Sequence, residues 1–170
     1  MTLQEIGLKH QTDKATHHKY CDFYEDELKG RQINSILEIG VKDGASLRMW
    51  RDFYPHATIV GVDINKPIPI KGCTVIQADA SQIMDLPLDK FDLVIDDGSH
   101  LTSHQIATYR ILKHRFNVAY IVEDLHTSFL SEYIDTKVTA FEWFKNNTQI
   151  KIFQRCNNIL HDSVTGIIHK

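Results

Sequence analysis

The stretch SILEIGVKDGASLRMW, from Ser35 to Trp50, shows how the rest of the chain is built. It begins with a short apolar run that ends in glycine, which is typical of a buried strand followed by a tight turn. Leu47, Trp50 and Tyr54 then recur at i, i+3 and i+7, on one face of a helix. The stretch therefore predicts a strand, a glycine turn and a helix.

Further apolar runs of strand length follow this first unit. They are Thr58 to Asp63, Cys73 to Ala78, Phe91 to Asp96 and Val118 to Val122. Helical spacing appears in two later stretches. The first has Ile106, Tyr109, Leu112 and Phe116 on its inner face. The second runs from about Leu130 to Asn146, and its inward residues would be Tyr133, Ile134, Val138 and Phe141. Strands that alternate with helices favour right-handed crossovers and a parallel sheet covered on both faces.

Both ends of the sequence depart from this alternation. Before the first strand, an amphipathic helix is marked by Tyr20, Phe23, Tyr24 and Leu28. After the last helix, two apolar segments, Gln149 to Phe153 and Ile159 to Ile168, flank Asn157-Asn158, a pair typical of a hairpin turn. The first feature predicts a helical segment over the rim of the sheet, and the second predicts an antiparallel edge.

We therefore predict an α/β fold with a Rossmann-like, doubly wound, mostly parallel sheet and an antiparallel C-terminal edge hairpin. A length of 170 residues fits one domain. That domain would consist of an N-terminal helical lid over residues 1–32 and a Rossmann-like core over residues 33–170.

Composition excludes several classes of function. The formal net charge is -3, which argues against a nucleic-acid binder that neutralises phosphates. No apolar run is long enough to span a bilayer, and the first residues lack the pattern of a secretory signal. Cys21, Cys73 and Cys156 are widely spaced and form no CxxC motif, so a reducing compartment fits best. We expect a cytoplasmic protein that uses neither nucleic acid nor a membrane.

Distinctive residues follow the first three strands, where parallel sheets bind their ligands. Gly40 and Gly44 bracket the first turn, where a missing Cβ lets a ligand approach the backbone. Asp63 closes the second strand and could accept both hydroxyls of a ribose, and Asp79 follows the third, near the expected nucleoside base. Lys42 breaks the GxGxxG pattern, which disfavours an NAD site although the acidic residues alone would allow one.

Acidic side chains also follow two runs that we expect to be neighbouring strands. Asp97 comes directly after the fourth run, and Glu123 and Asp124 come directly after the fifth. Adjacent strands lie about 4.8 Å apart, so these carboxylates would repel each other unless a proton or a cation lay between them. An all-oxygen ligand set suits Mg²⁺ or Mn²⁺. The alternative is a turn over Asp96-Asp97-Gly98 that caps the next helix, with a solvated end on the fifth strand.

A histidine lies close to these acids in the sequence. His100 stands three residues after Asp97. A cation in the acid cluster would hold a substrate hydroxyl and lower its pKa, and His100 would then remove the proton as general base. A histidine in this position could instead orient a ligand through its second ring nitrogen. Asp97 and His100 are therefore the candidate catalytic residues.

Several of these motifs together resemble a known family. They are LEIGVKDGASLRMW at Leu37 to Trp50, GVDI at Gly61 to Ile64, DDGSH at Asp96 to His100, HQ at His104-Gln105, EDLHTSF at Glu123 to Phe129 and QTDK at Gln11 to Lys14. The first two resemble the S-adenosylmethionine (SAM) site of class I methyltransferases. The whole set resembles the catalytic domain of macrolide-sugar O-methyltransferases of the mycinamicin and macrocin type. Gln11 departs from the family, which has glycine before Thr-Asp-Lys.

The resemblance implies a SAM-dependent, Mg²⁺-assisted (or Mn²⁺-assisted) O-methyltransferase acting on a sugar hydroxyl of a glycan or glycosylated natural product. The cofactor-binding residues would be Thr12, Glu38, Gly40, Gly44, Ser46, Asp63, Ile64, Asp79, Ala80 and Asp96. The metal ligands would be Asp97, Glu123 and Asp124. A homo-oligomer is compatible with Trp143, which lies off the inward helix face. The alternatives are a catechol-like or other small hydroxylated acceptor, a nucleotide-dependent oxidoreductase and a non-catalytic SAM-binding subunit.

Overall fold

The computed structural model of the chain describes residues 1–65, 68–80, 86–155 and 163–170. Within these ranges, seven strands form one sheet. They are β1 Ser35–Ile39, β2 Thr58–Asp63, β3 Thr74–Gln77, β4 Phe91–Asp96, β5 Phe116–Val122, β6 Lys151–Gln154 and β7 Val164–His169. The predicted hairpin turn at Asn157-Asn158 and the thiol of Cys156 lie outside the described residues.

The strand order across the sheet is β3-β2-β1-β4-β5-β7-β6. The first five strands pair in parallel, and β7 pairs antiparallel with both β5 and β6. The predicted fold class, including the antiparallel C-terminal edge, is confirmed. The strand order reverses at β1, because β2 and β3 lie on one side of it and β4 and β5 lie on the other. Open α/β sheets bind ligands at such a switch point.

Six α-helices occur in the part of the chain that the structure describes. They are α1 Leu3–His10, α2 Asp13–Thr16, α3 Cys21–Leu28, α4 Ala45–Phe53, α5 Thr102–Leu112 and α6 Ala140–Asn147. Two short 3₁₀ turns, Leu125–Phe129 and Ser131–Tyr133, follow β5. None of the described helices combines the length and the apolar composition that crossing a bilayer requires.

The predicted helix from Leu130 to Asn146 is wrong in its first half, because α6 begins at Ala140. The start is fixed by a capping box, in which the Thr139 hydroxyl accepts from the Glu142 N–H and the Glu142 carboxylate accepts from the Thr139 N–H. Ile134 and Val138, which we expected to face inward, are 37% and 44% exposed.

Both faces of the sheet are buried, as the continuously apolar strands predict. Ile36, Leu93 and Ile121 pack on one face with α1, α3 and α4. Their immediate neighbours in the chain, Leu37, Val94 and Tyr120, pack on the other face with α6. Since side chains alternate along a strand, each of these strands contributes residues to the hydrophobic core on both faces of the sheet. The carboxyl ends of β1, β4 and β5 are therefore held firmly beside one another.

Candidate active site

A pocket of about 550 Å³ opens at the carboxyl ends of the parallel strands. This volume is typical of small-molecule sites. Most of the predicted cofactor-binding residues line it, namely Thr12, Gly40, Ser46, Asp63, Ile64, Asp79, Ala80 and Asp96. Glu38 and Gly44 lie outside the lining. The wall of the same pocket also includes Asp97, His100 and Asp124. The structure thus brings the two predicted halves of the site into one cavity.

The turn after β1 packs against the turn after β4. The Asp97 N–H donates to the Ile39 carbonyl at 2.9 Å, and the Gly40 N–H donates to the Val62 carbonyl at 2.8 Å. Gly40 has φ +86, and a Cβ built on it would lie 1.9 Å from the backbone oxygen of Asp97. Only glycine satisfies both the backbone conformation and the close approach.

We therefore expect Gly40→Ala to destabilise the chain far more than Gly30→Ala. Gly30 has φ +73 with open space around it, so alanine there meets only the backbone penalty of about 1 kcal/mol. Gly40→Ala adds a backbone clash, and we expect a total loss of about 3 kcal/mol or more. Urea unfolding of both variants measures the difference, and equal losses would contradict this account of the turn.

Asp63 at the end of β2 holds the same glycine turn. Its Oδ2 accepts the backbone N–H groups of Val41 and Lys42 at 2.8 and 2.9 Å. Its Oδ1 accepts the backbone and side-chain N–H groups of Asn65 at 2.8 and 3.1 Å. Burial raises the pKa of this carboxyl, but the donated hydrogen bonds outweigh burial and the net pKa is lowered. The binding of ribose hydroxyls by Asp63 stays a prediction. For such binding, a ribose hydroxyl would have to replace at least one of these N–H donors.

Asp97, His100 and Asp124 form a compact group in the wall of the pocket. The His100 Nε2 atom lies 3.8 Å from Asp97 Oδ1 and 3.6 Å from Asp124 Oδ2. One candidate ligand atom from each residue lies within 4.8 Å of the other two. The two carboxylates are oxygen donors that suit Mg²⁺ or Mn²⁺, and the imidazole lies beside them as the candidate base. The residues present therefore fit the predicted ion.

Two members of this group have a left-handed backbone conformation, which residues other than glycine rarely adopt. His100 has φ +60 and Asp124 has φ +54. The Thr127 hydroxyl lies 2.7 Å from the Asp124 carbonyl and 3.3 Å from the His100 carbonyl, so it joins the two loops. Left-handed residues outside glycine concentrate at functional sites, where neighbouring contacts hold them. The EDLHT motif thus supplies both an acid and the residue that fixes its loop.

Glu123, the third predicted metal ligand, faces a different partner. Its carboxylate is 1% exposed, and both of its oxygens lie 3.2 Å from the ammonium of Lys14. Among the described residues it does not join the group of Asp97, His100 and Asp124. Its assignment as a metal ligand stays a prediction.

Lys14 is a member of the site that the sequence analysis did not single out by its chemistry. Its ammonium contacts Asp97 Oδ2, Glu123 and Glu38 Oε1, the last at 3.3 Å. Burial raises the pKa of the Glu38 carboxyl to about 6, against the effect of Lys14. Burial likewise raises the pKa of Asp97 and of Glu123, and Lys14 again acts in the opposite direction. The QTDK motif was the only signal in the sequence for this contact.

Further groups surround Asp124. The Tyr20 hydroxyl donates to Asp124 Oδ1 at 2.9 Å, and His18 Nδ1 lies 3.6 Å from the same oxygen. No sequence pattern indicated either contact. At the end of the neighbouring strand β4, buried Asp96 accepts a hydrogen bond from the Tyr120 hydroxyl at 2.9 Å, and burial raises the pKa of Asp96 to about 7.

The chain is similar to known sugar methyltransferases. It is 32% identical over 146 residues to the 8-demethyl-8-alpha-L-rhamnosyl tetracenomycin-C 2'-O-methyltransferase of Streptomyces olivaceus, a match that covers 75% of this chain and 38% of that protein. It is 34% identical over 147 residues to the mycinamicin VI 2''-O-methyltransferase of Micromonospora griseorubida, which covers 75% of this chain and 37% of the relative. The chain thus spans less than two fifths of the length of these curated relatives.

A solved structure shares the fold. The MycE methyltransferase of the mycinamycin biosynthetic pathway, crystallised with Mg and S-adenosylhomocysteine (SAH), superposes with a TM-score of 0.77 at 23% identity. The match covers 98% of this chain and 54% of that one. No protein-family model matches the sequence. The resemblance to the macrolide-sugar O-methyltransferases is confirmed by these relatives.

Proposed function

We propose that this chain, a homologue of the sugar O-methyltransferases that act on glycosylated natural products, is itself the catalytic unit of a SAM-dependent, metal-assisted O-methyltransferase. The observation that carries the proposal is that one pocket is lined both by Gly40 and Asp63 and by Asp97, His100 and Asp124. A methyl donor and an acceptor hydroxyl must meet within one cavity, and this one has a suitable volume.

The cofactor would occupy the end of the pocket at β1 and β2. The glycine turn gives the ligand access to the backbone, and Asp63 keeps the turn in place through Val41 and Lys42. Asp79 and Ala80 line the wall beyond β3, where the base would lie. A fold neighbour was crystallised with SAH, which supports a cofactor of this kind.

The acceptor would lie at the other end, beside His100. When bound, SAM supplies an electrophilic methyl group, and a divalent ion held by Asp97, Asp124 and Glu123 supplies Lewis-acid polarisation of the hydroxyl. His100 would accept the hydroxyl proton as the acceptor oxygen took the methyl group from SAM. The reaction would yield a methyl ether and SAH, with the proton on His100.

The relatives support a sugar hydroxyl as the acceptor, because both are named for methylating sugar-bearing natural products. We propose the same acceptor class for this chain. Methyl-labelled SAM offered with a panel of rhamnosyl, fucosyl and other deoxysugar compounds tests it directly. Labelling of a catechol but of none of the glycosides would assign the smaller acceptor class instead.

Two further proposals concern the setting of the enzyme. Cys21 and Cys73 are free thiols, which supports the proposal that the enzyme acts in a reducing compartment such as the cytoplasm. Gln11, Thr12, Asp13 and Thr16 line the pocket, which supports a covering role for the N-terminal segment over residues 1–32.

The cofactor proposal predicts that SAH stabilises the chain. A ligand that binds only the folded state should raise Tm by roughly 5 to 10 °C at about a hundredfold excess over its Kd. Asp63→Ala should lose about half of this shift or more, because two backbone N–H groups of the turn lose their shared acceptor. Asp52→Ala, which removes an exposed ion pair with Lys9, is the matched control.

Thermal unfolding with and without SAH measures these shifts. No shift at millimolar SAH would overturn the cofactor assignment. A shift with NADH in place of SAH would favour a nucleotide-dependent oxidoreductase.

A further inference from the structure

Lys14 lies at the centre of the acidic strand ends and is fully buried. Its side chain is 1% exposed, and its ammonium contacts the carboxylates of Glu38, Asp97 and Glu123. These three acids follow or belong to β1, β4 and β5, which are neighbours in the sheet. One lysine from the N-terminal segment therefore neutralises part of the charge at three adjacent strand ends.

A buried ammonium in this position needs its acidic partners. Removing a lone charge from water is unfavourable by several kcal/mol, and only close opposite charges and good geometry compensate for that. Four carboxylates lie in this region, because Asp124 adds to the three that Lys14 contacts. A single ammonium matches only one of these four carboxylates, so the others need a proton or a further cation.

Lys14 and the proposed divalent ion share their partners. Asp97 directs Oδ2 to Lys14, while its Oδ1 lies 3.8 Å from His100 on the side of the candidate metal group. Glu123 presents both oxygens to Lys14 at 3.2 Å. Of the three acids proposed as metal ligands, two are thus in contact with the ammonium.

We propose that Lys14 is a positioning residue that acts as the internal counter-ion of the acidic cluster and, by competing for Asp97 and Glu123, sets the affinity of the chain for its divalent ion. This inference rests on the proposed function, since it concerns the same metal. The lysine keeps the carboxylates together before the ion binds and weakens the binding of the ion when it arrives.

The test compares Mn²⁺ binding by calorimetry in Lys14→Met, Lys14→Arg and the unmutated chain. At the distances involved, loss of the positive charge should tighten Mn²⁺ binding roughly tenfold or more. Lys14→Arg keeps the charge, so its Mn²⁺ affinity should stay close to that of the unmutated chain even where the larger side chain lowers Tm. Lys9→Met removes an exposed lysine of the same N-terminal segment and should change nothing.

The outcomes separate this inference from the proposed function. Equal or weaker Mn²⁺ binding by Lys14→Met, with clear binding by the unmutated chain, would overturn the competition and leave the metal assignment standing. Failure of both chains to bind Mn²⁺ would overturn the inference and the proposed metal together, while the SAH shift would remain a separate test of the cofactor.

A second pair of variants covers the case in which Lys14→Met does not fold. Glu38→Gln removes a buried acid that is not among the proposed metal ligands, so it lowers the charge that the missing lysine leaves unbalanced. The double variant Lys14→Met/Glu38→Gln should bind Mn²⁺ more tightly than Glu38→Gln alone. The same affinity in both would contradict the proposal.

Discussion

Replacing Asp124 by asparagine is expected to reduce methyl transfer by at least about 100-fold while SAH affinity stays within about twofold. The carboxylate lies in the group with Asp97 and His100, whereas Asp63 holds the glycine turn at which the cofactor would bind. Asparagine preserves the shape, accepts the Tyr20 hydroxyl bond and tolerates the left-handed backbone, but it loses the charge that a divalent ion requires. Turnover is measured with the panel acceptor that the unmutated chain methylates.

Two controls belong to this experiment. Asp26→Asn changes an exposed acid on α3 and should leave turnover unchanged. EDTA added to the unmutated chain should reproduce the loss seen with Asp124→Asn, and Mn²⁺ or Mg²⁺ should restore activity. Full methylation in the presence of EDTA would remove the metal from the proposed function.

Replacing His100 by asparagine should lower kcat by about 10² to 10⁴, the usual contribution of a general base. Asparagine is preferable to alanine because His100 has φ +60, a conformation that asparagine adopts with little strain. The lost activity should partly return at high pH, where hydroxide replaces the imidazole. SAH and Mn²⁺ binding should persist if the histidine acts mainly on the proton.

The pH profile distinguishes this role from ligand orientation. A histidine that only positions the acceptor would raise KM and show no recovery at high pH. His114→Asn, on an exposed residue remote from the pocket, is the matched control. Unchanged kinetics in His100→Asn at neutral pH would assign the base to another group.

The strands and the residues at their ends could be predicted from the sequence, because a parallel sheet places the carboxyl ends of its strands along one edge. Apolar runs that alternate with helices leave few arrangements, and all such strands end at the same rim. Asp63, Asp97 and Asp124 therefore line one pocket, as expected for residues at or just beyond the carboxyl ends of β2, β4 and β5.

The finer contacts could not be predicted in this way. Lys14 contacts Asp97 and Glu123 across 83 and 109 residues of chain, and a lone lysine near a helix start is ordinarily exposed. The position of Glu123 against Lys14 depends on that contact. The start of α6 was missed for a local reason, since the capping box at Thr139 and Glu142 outweighs the apolar spacing before it.

The long separation between Lys14 and its partners has a consequence for biosynthesis. Glu123 follows Lys14 by 109 residues, so the two cannot meet until that stretch has been translated. Contacts between such distant residues form slowly because a large loop must close first. The burial of Lys14 must therefore follow the synthesis of β5, and until then the N-terminal segment cannot take its final place against the strand ends.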